Sequence, residues 1–232
     1  MAGTARQNTV SPTPALSRVE HAYREIKARI LTNRYPPGFR ALEQEVAEDL
    51  GVSRTPVREA LIRLENEGLV RLIPRRGMHV LPLAPSDMRE IYEVLTAVET
   101  MAVELLGKRN PTADDLSAIE QALDDMDAAL ASDDLETWAD ADDRFHRALL
   151  EACGNSRLAA IANTVRDQGH RARLITLRLR PRPVRSNKEH REVLDAIKAG
   201  DWARARQMHY KHRIRTSETL TEILEQYQFP QL

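Results

Sequence analysis

Apolar residues recur along most of this chain at helical rather than strand spacing. Between Val19 and Thr32 they fall at positions 19, 22, 23, 26 and 30, one face of a helix. Asn33 to Gly38 (NRYPPG) ends that face, because two prolines and a glycine do not continue a helix. Leu42, Val46, Ala47 and Leu50 form a second helical face, closed by Gly51. A third follows Ser-Arg-Thr-Pro: Val57, Leu61 and Leu64 share one side, and Gly68 supplies a left-handed stop. Pro56 suits a first helical position, which makes Thr55 the expected N-cap, with Ser53 as the alternative. Strand-like alternation is confined to LVRLIPRRGMHVLPL, a hairpin turning at Pro74-Arg75-Arg76-Gly77.

Beyond a proline-flanked boundary (Pro82 to Pro85) the pattern predicts six helices, over 86–107, 112–131, 134–152, 156–180, 185–199 and 201–226. Ser86 or Asp87 is the expected cap of the first. The predicted fold is mainly α: an N-terminal winged helix-turn-helix with a small β-hairpin wing, then an all-α antiparallel helical bundle. The expected division is a disordered arm over 1–17, the winged domain over 18–82, a linker over 83–85 and the bundle over 86–228.

Composition agrees with this picture and narrows it. The 232 residues are 42% hydrophobic and 30% charged, with few aromatics, which suits soluble helices. No apolar run approaches the ~20 residues a membrane span needs. The polar N-terminus lacks the apolar core of a secretory signal, and the single cysteine, Cys153, excludes an internal disulfide. That single cysteine also suits a reducing cytoplasm. The net charge of −1 hides an asymmetry: residues 1–84 hold 13 basic against 9 acidic residues, the remainder 21 against 26. A basic front on an acidic body points the front at a polyanion.

Placement carries that argument further than the count. In a winged helix-turn-helix the start of the second helix reaches base edges in the major groove. Arg54 and Arg58 sit there, where the helix dipole disfavours cations unless an anion lies in front. Arginine pairs bidentately with guanine, a contact worth roughly 1–3 kcal/mol of discrimination. Ser53 and Thr55 suit phosphate contacts, and Arg40, Arg75, Arg76 and the wing glycine Gly77 complete the expected DNA-binding set. The expected partner is a double-stranded DNA operator.

The bundle carries different chemistry. Asp142 and His146 are four residues apart, hence on one helical face. His190 shares a face with Leu194 and Ile197, and His212 follows Met208 by one turn. Three imidazoles and a carboxylate converging from three helices would hold a divalent transition metal: zinc foremost, with nickel, manganese or iron as alternatives. Spacing alone favours hydrogen-bonded core histidines over a metal site. His209, three residues before His212, is held in reserve. Residues 111–143 contain twelve acids and no Lys or Arg, whereas 157–188 contain nine basic residues and one acid. These runs either neutralise each other or line an anion-binding cavity.

Two stretches resemble a known family. "PPGFRALEQEVAEDLGVSRTPVREALIRLENEGLV", followed by "PRRGMHV", resembles the DNA-binding domain of the GntR family of bacterial transcription regulators. Asp-x-x-Phe-His, then "EHREVLDAIKAGDWARARQMHYKH", is similar to the effector-binding FCD domain of that family's FadR-type branch. The resemblance implies a homodimer on a pseudo-palindromic operator. It further implies metal ligands at Asp142, His146, His190 and His212, and a small carboxylate effector in the same cavity. The family often has an arginine where this chain has Leu95, so either Arg171, Arg173 or Arg178 is expected to hold the effector instead, or the effector is less acidic. A metabolite-responsive repressor is the expected function, with a purely structural metal as the alternative. A metal-dependent hydrolase is disfavoured, because neither a separate general base nor a nucleophile elbow accompanies the cluster.

Overall fold

The computed structural model describes residues 17–82 and 84–227. Apart from Ser17, the expected N-terminal arm lies outside the described residues, as does Leu83 of the expected linker. The front comprises α1 (Arg18–Leu31), β1 (Arg40–Ala41), α2 (Glu43–Leu50), α3 (Arg54–Asn66), β2 (Val70–Ile73) and β3 (Gly77–Val80). Ser17 caps α1, its Oγ accepting from the Glu20 N–H at 3.1 Å. The apolar faces of α1 and α3 meet: Ala22, Ile26, Ile30, Val57, Leu61 and Leu64 are fully buried in one core with Met78 and Val80 from the wing.

The wing is a three-stranded antiparallel sheet of order β1-β3-β2, with Arg40 opposite His79 and Leu72 opposite Met78. Strand β1 leaves no mark in the sequence pattern, since two residues cannot display an alternation. Helix α3 begins two residues earlier than Thr55 allows: Ser53, the alternative, is the N-cap and Arg54 the first helical residue. Pro56 therefore stands third, which costs nothing because the first turn's N–H groups have no intrahelical acceptor.

Behind the wing lie α4 (Pro85–Lys108), α5 (Ala113–Ala131), α6 (Leu135–Ala152), α7 (Ser156–Ile175), α8 (Val184–Lys198) and α9 (Trp202–Gln226). Helix α4 packs along α9, α5 along α6, and α8 against α9, around a second core that includes Leu95, Val103, Ile119, Phe145 and Val193. Neither Ser86 nor Asp87 is the N-cap of α4. Ala84 holds that position, and the Asp87 carboxylate reaches back to accept its N–H at 2.7 Å.

The helix expected over 156–180 is interrupted. It ends at Ile175, passes through a 3-10 turn (Leu177–Leu179) and leaves in extended backbone at Arg180. Pro181 explains this exit, because a proline disfavours the helical conformation in the residue before it.

Candidate functional site

The winged front presents a basic groove between α3 and the wing. It has a volume of about 610 Å³ and includes Arg54, Arg58, Ile62, Arg75 and Gly77 among its lining. Arg54 and Arg58 project from the first turn and a half of α3, and both are exposed. Arg54 is tethered only at its edge, 3.2 Å from Glu43. Ser53 and Thr55 flank it in the open, and Arg40, Arg75 and Arg76 are likewise exposed. Arg75 takes a left-handed conformation (φ 63°) at the hairpin tip. Arg63 instead fastens α3 to α1, lying 3.5 Å over the Tyr23 ring and pairing with Glu20.

In the bundle, α6, α8 and α9 bring Asp142, His146, His190 and His212 together. Ligand nitrogens of His146, His190 and His212 all lie within 4.8 Å of one another, and all three residues are buried. Asp142 Oδ1 is 3.1 Å from His190 Nε2 and 3.9 Å from His146 Nε2. A tetrahedral ion with bonds of ~2.0–2.1 Å sets its donors roughly 3.3 Å apart; the Asp142–His190 separation matches this, the Asp142–His146 separation is wider, and the donors would have to close in around an ion.

The protonation states suit a metal as well. Burial, followed by His190, drives His212 well below the usual imidazole range, and burial takes His146 down to about 3 against the pull of Glu99. Burial by itself would raise the Asp142 carboxyl, but the hydrogen bond with His190 and the neighbouring imidazoles hold it far below the carboxylate range. Neutral imidazoles and an ionised carboxylate are the forms that bind metal.

Carboxylates also stand behind two of the rings. Glu189 lies 2.7 Å from His212 Nδ1, which leaves Nε2 as the ring nitrogen available to a metal. Glu99 lies 2.9 Å from His146 Nδ1, close but off the hydrogen-bond axis, so Nδ1 is unpartnered in that sense. His190 Nδ1 has no hydrogen-bond partner among the described residues.

Sequence reasoning misses Glu99. Its signal is present, for Tyr92, Leu95, Glu99, Ala102 and Leu106 follow helical spacing, which places one acid on the buried face of α4. Burial would raise its carboxyl, but Arg213, His146 and His209 hold it well below the usual range. Glu99, His146 and His209 form a second grouping of donor atoms. Glu99 is committed there to Arg166 at 2.9 Å and His209 at 3.1 Å, with Arg213 at 3.6 Å. Two guanidinium groups repel a cation from that side.

The cluster opens into a cavity of about 370 Å³. Of the three arginines expected to hold an effector, only Arg173 lines it. Arg171 points the other way and donates to the Leu81 carbonyl at 2.8 Å, while Arg178 stands on the surface against Glu136. Arg171 is two positions from Arg173 on α7 and so on the opposite side, while Arg178 lies beyond the break at Ile175 on the 3-10 turn. The cavity recruits Arg166, Arg180, Arg213 and Arg215 instead. Arg180 has no acidic partner among the described residues, and its buried Nε is unsatisfied. Arg213 rests 4.7 Å over the Tyr92 ring with Nε and Nη2 unsatisfied.

The acidic and basic runs neutralise each other only in part, through Arg166–Asp143, Arg173–Asp143, Arg178–Glu136 and Arg182–Asp133. Leu95 is buried in the core of α4 and does not reach the cavity lining.

Comparison with known proteins bears on both regions. Residues 18–80 match the family described as bacterial regulatory proteins, gntR family, and residues 90–215 match the FCD domain. The chain is 45% identical, over 59% of its own length and 80% of the relative's, to an HTH-type transcriptional regulator in the TAR-I ttuE-ttuC' intergenic region of Agrobacterium vitis. It is 31% identical to the gluconate operon transcriptional repressor of Bacillus subtilis, covering 77% of this chain and 75% of that one. A GntR regulator structure from Rhodococcus sp. RHA1 superposes with a TM-score of 0.73 at 26% identity, over 88% of this chain and 98% of the other.

Proposed function

This chain belongs to the GntR family of bacterial regulatory proteins and carries an FCD domain, and from that premise we propose that it is a metal-dependent, carboxylate-responsive repressor. As a member of the family it is a DNA-binding transcription regulator. The repressor sense draws support from the relative named as repressor of the gluconate operon. A homodimer in the bacterial cytoplasm, with one α3 in each half-site of a pseudo-palindrome, is the arrangement we assign to it.

The observation that carries the sensing role is the cavity's chemistry. Asp142, His146, His190 and His212 would hold a divalent transition metal, zinc foremost. The bound ion would supply a positive centre beside the cavity. Arg180 and Arg213 face the same space with unsatisfied buried donors. Arg213 shares Glu99 with Arg166, whereas Arg180 has no acidic partner among the described residues; a guanidinium shielded from water without a counterion is costly, and a small carboxylate offers the charge and planar geometry it lacks. A ligand that binds one arrangement of the chain better than another then shifts the population and alters DNA affinity.

Elemental analysis of untagged protein is the test, followed by operator binding with small carboxylates added to the metal-loaded form. About one transition metal per chain and a carboxylate-dependent change in operator affinity are expected. Well-folded protein with no metal sinks the metal site, and metal without any carboxylate response leaves a structural ion.

A further inference from the structure

We propose that α7 carries the state of the cavity to the DNA-binding head, and that Asp167 and Gln168 are its grip on the C-terminal end of α3. The inference rests on the cavity being the sensing site, and it names the residues through which that site acts.

Consecutive residues of a helix point about 100° apart, so three in a row address different neighbours. Arg166 faces the cavity, fully buried, with Nη1 2.9 Å from Glu99 and Nη2 2.6 Å from Asp143, the residue after Asp142. Asp167 faces the head. Its Oδ2 is 2.7 Å from Lys27 of α1, and Lys27 also lies 2.8 Å from Glu67, the C-cap of α3. Gln168 donates to the Glu67 carbonyl at 2.8 Å. A Cβ at Gly68 would come within 2.7 Å of Gln168 Nε2, so the glycine that ends α3 also admits this contact.

The two sides of α7 are joined by one further residue. Arg147 of α6 binds Asp143 at 2.6 Å and Asp167 at 3.2 Å. Ion pairs therefore run without a gap from Glu99 and Asp143, beside the cluster, through Arg166, Arg147 and Asp167 to Lys27 and Glu67. Lys27, Glu67 and Asp167 are mostly shielded, with side chains 18%, 16% and 10% exposed, so solvent screens these contacts less than it would surface pairs. One turn on, Arg171 holds the Leu81 carbonyl, so α7 also grips the chain where it leaves the wing.

Hydrogen exchange of the full chain, stripped of metal and then loaded with Zn²⁺ alone, tests this. In wild type, Zn²⁺ should alter exchange in α8 and α9, and should change exchange in α1 and the last turn of α3 by about fivefold or more, the low end of ordinary allosteric coupling. Asp167→Asn and Lys27→Gln, which cut the link from opposite sides, should keep the α8–α9 response and lose the head's. Lys27→Arg should retain both. A head response that persists in both charge-removing variants overturns the proposal, as does a wild-type response confined to α8 and α9. Absence of any response in α8 and α9 overturns the metal reading itself and this inference with it.

Discussion

Glu189 Oε2 lies 2.7 Å from His212 Nδ1. This contact fixes the ring's orientation and favours the tautomer that leaves Nε2 unprotonated. Arg215 holds the same carboxylate, so the positioning group is itself positioned.

Glu189→Gln should therefore lower metal affinity by about 10–100-fold, the usual cost of losing such a partner, whereas His212→Ala and His190→Ala should abolish binding. Competition against a chromogenic chelator measures both effects. An unchanged affinity in Glu189→Gln would mean that His212 does not depend on this contact to bind metal.

Arg58 projects from α3 into open solvent with no acidic partner among the described residues, so truncating it leaves no orphaned charge. Arg58→Ala should weaken operator binding by at least about 1 kcal/mol while sparing non-specific DNA. Arg76→Ala at the wing should weaken all DNA more evenly and reduce the salt slope by about 1. Titrations on specific and scrambled duplexes at several salt concentrations separate the two roles.

Gly77 has φ 76°, and a Cβ there would stand 2.1 Å from the Ala41 carbonyl oxygen and 2.7 Å from Leu42 Cα. Both obstacles are backbone, so no rotamer change relieves them. Gly77→Ala should destabilise the wing by roughly 1–3 kcal/mol through backbone strain and weaken DNA binding with it. Thermal unfolding alongside operator titration checks this, and an unaltered melting curve would contradict the close packing of β1 on β3.

His170 is pushed down from 6.5 to about 4, first by burial and then by Arg173. Between those two values the unfolded chain binds a proton that the folded chain refuses, so stability rises with pH across that window and is lost on acidification. His170→Gln should flatten the dependence between about pH 4 and 6.5. Denaturant midpoints across that range report it, and an identical profile in the variant would remove His170 as the cause.

Much of this protein is legible along the chain because its strongest signals are local. The helical faces of α1 and α3, the stop at Gly68 and the turn at Arg75 depend on neighbours a few residues away, and the arginines leading α3 stand out against their own helix dipole. The Asp142 and His146 pair is likewise a matter of one turn. What tertiary structure alone decided is which distant charges meet. Arg171 and Arg173 stand two positions apart on α7, hence on opposite sides, and the end of α7 at Ile175 carries Arg178 away, but only packing decides that the side with Arg173 is the one at the cavity. Glu99 gains its role from His146, Arg166 and His209 on three other helices, and Asp167 gains its role from Lys27, 140 positions earlier. Periodicity reports which face of a helix is buried; which partner covers that face is set by packing, and no local pattern encodes it.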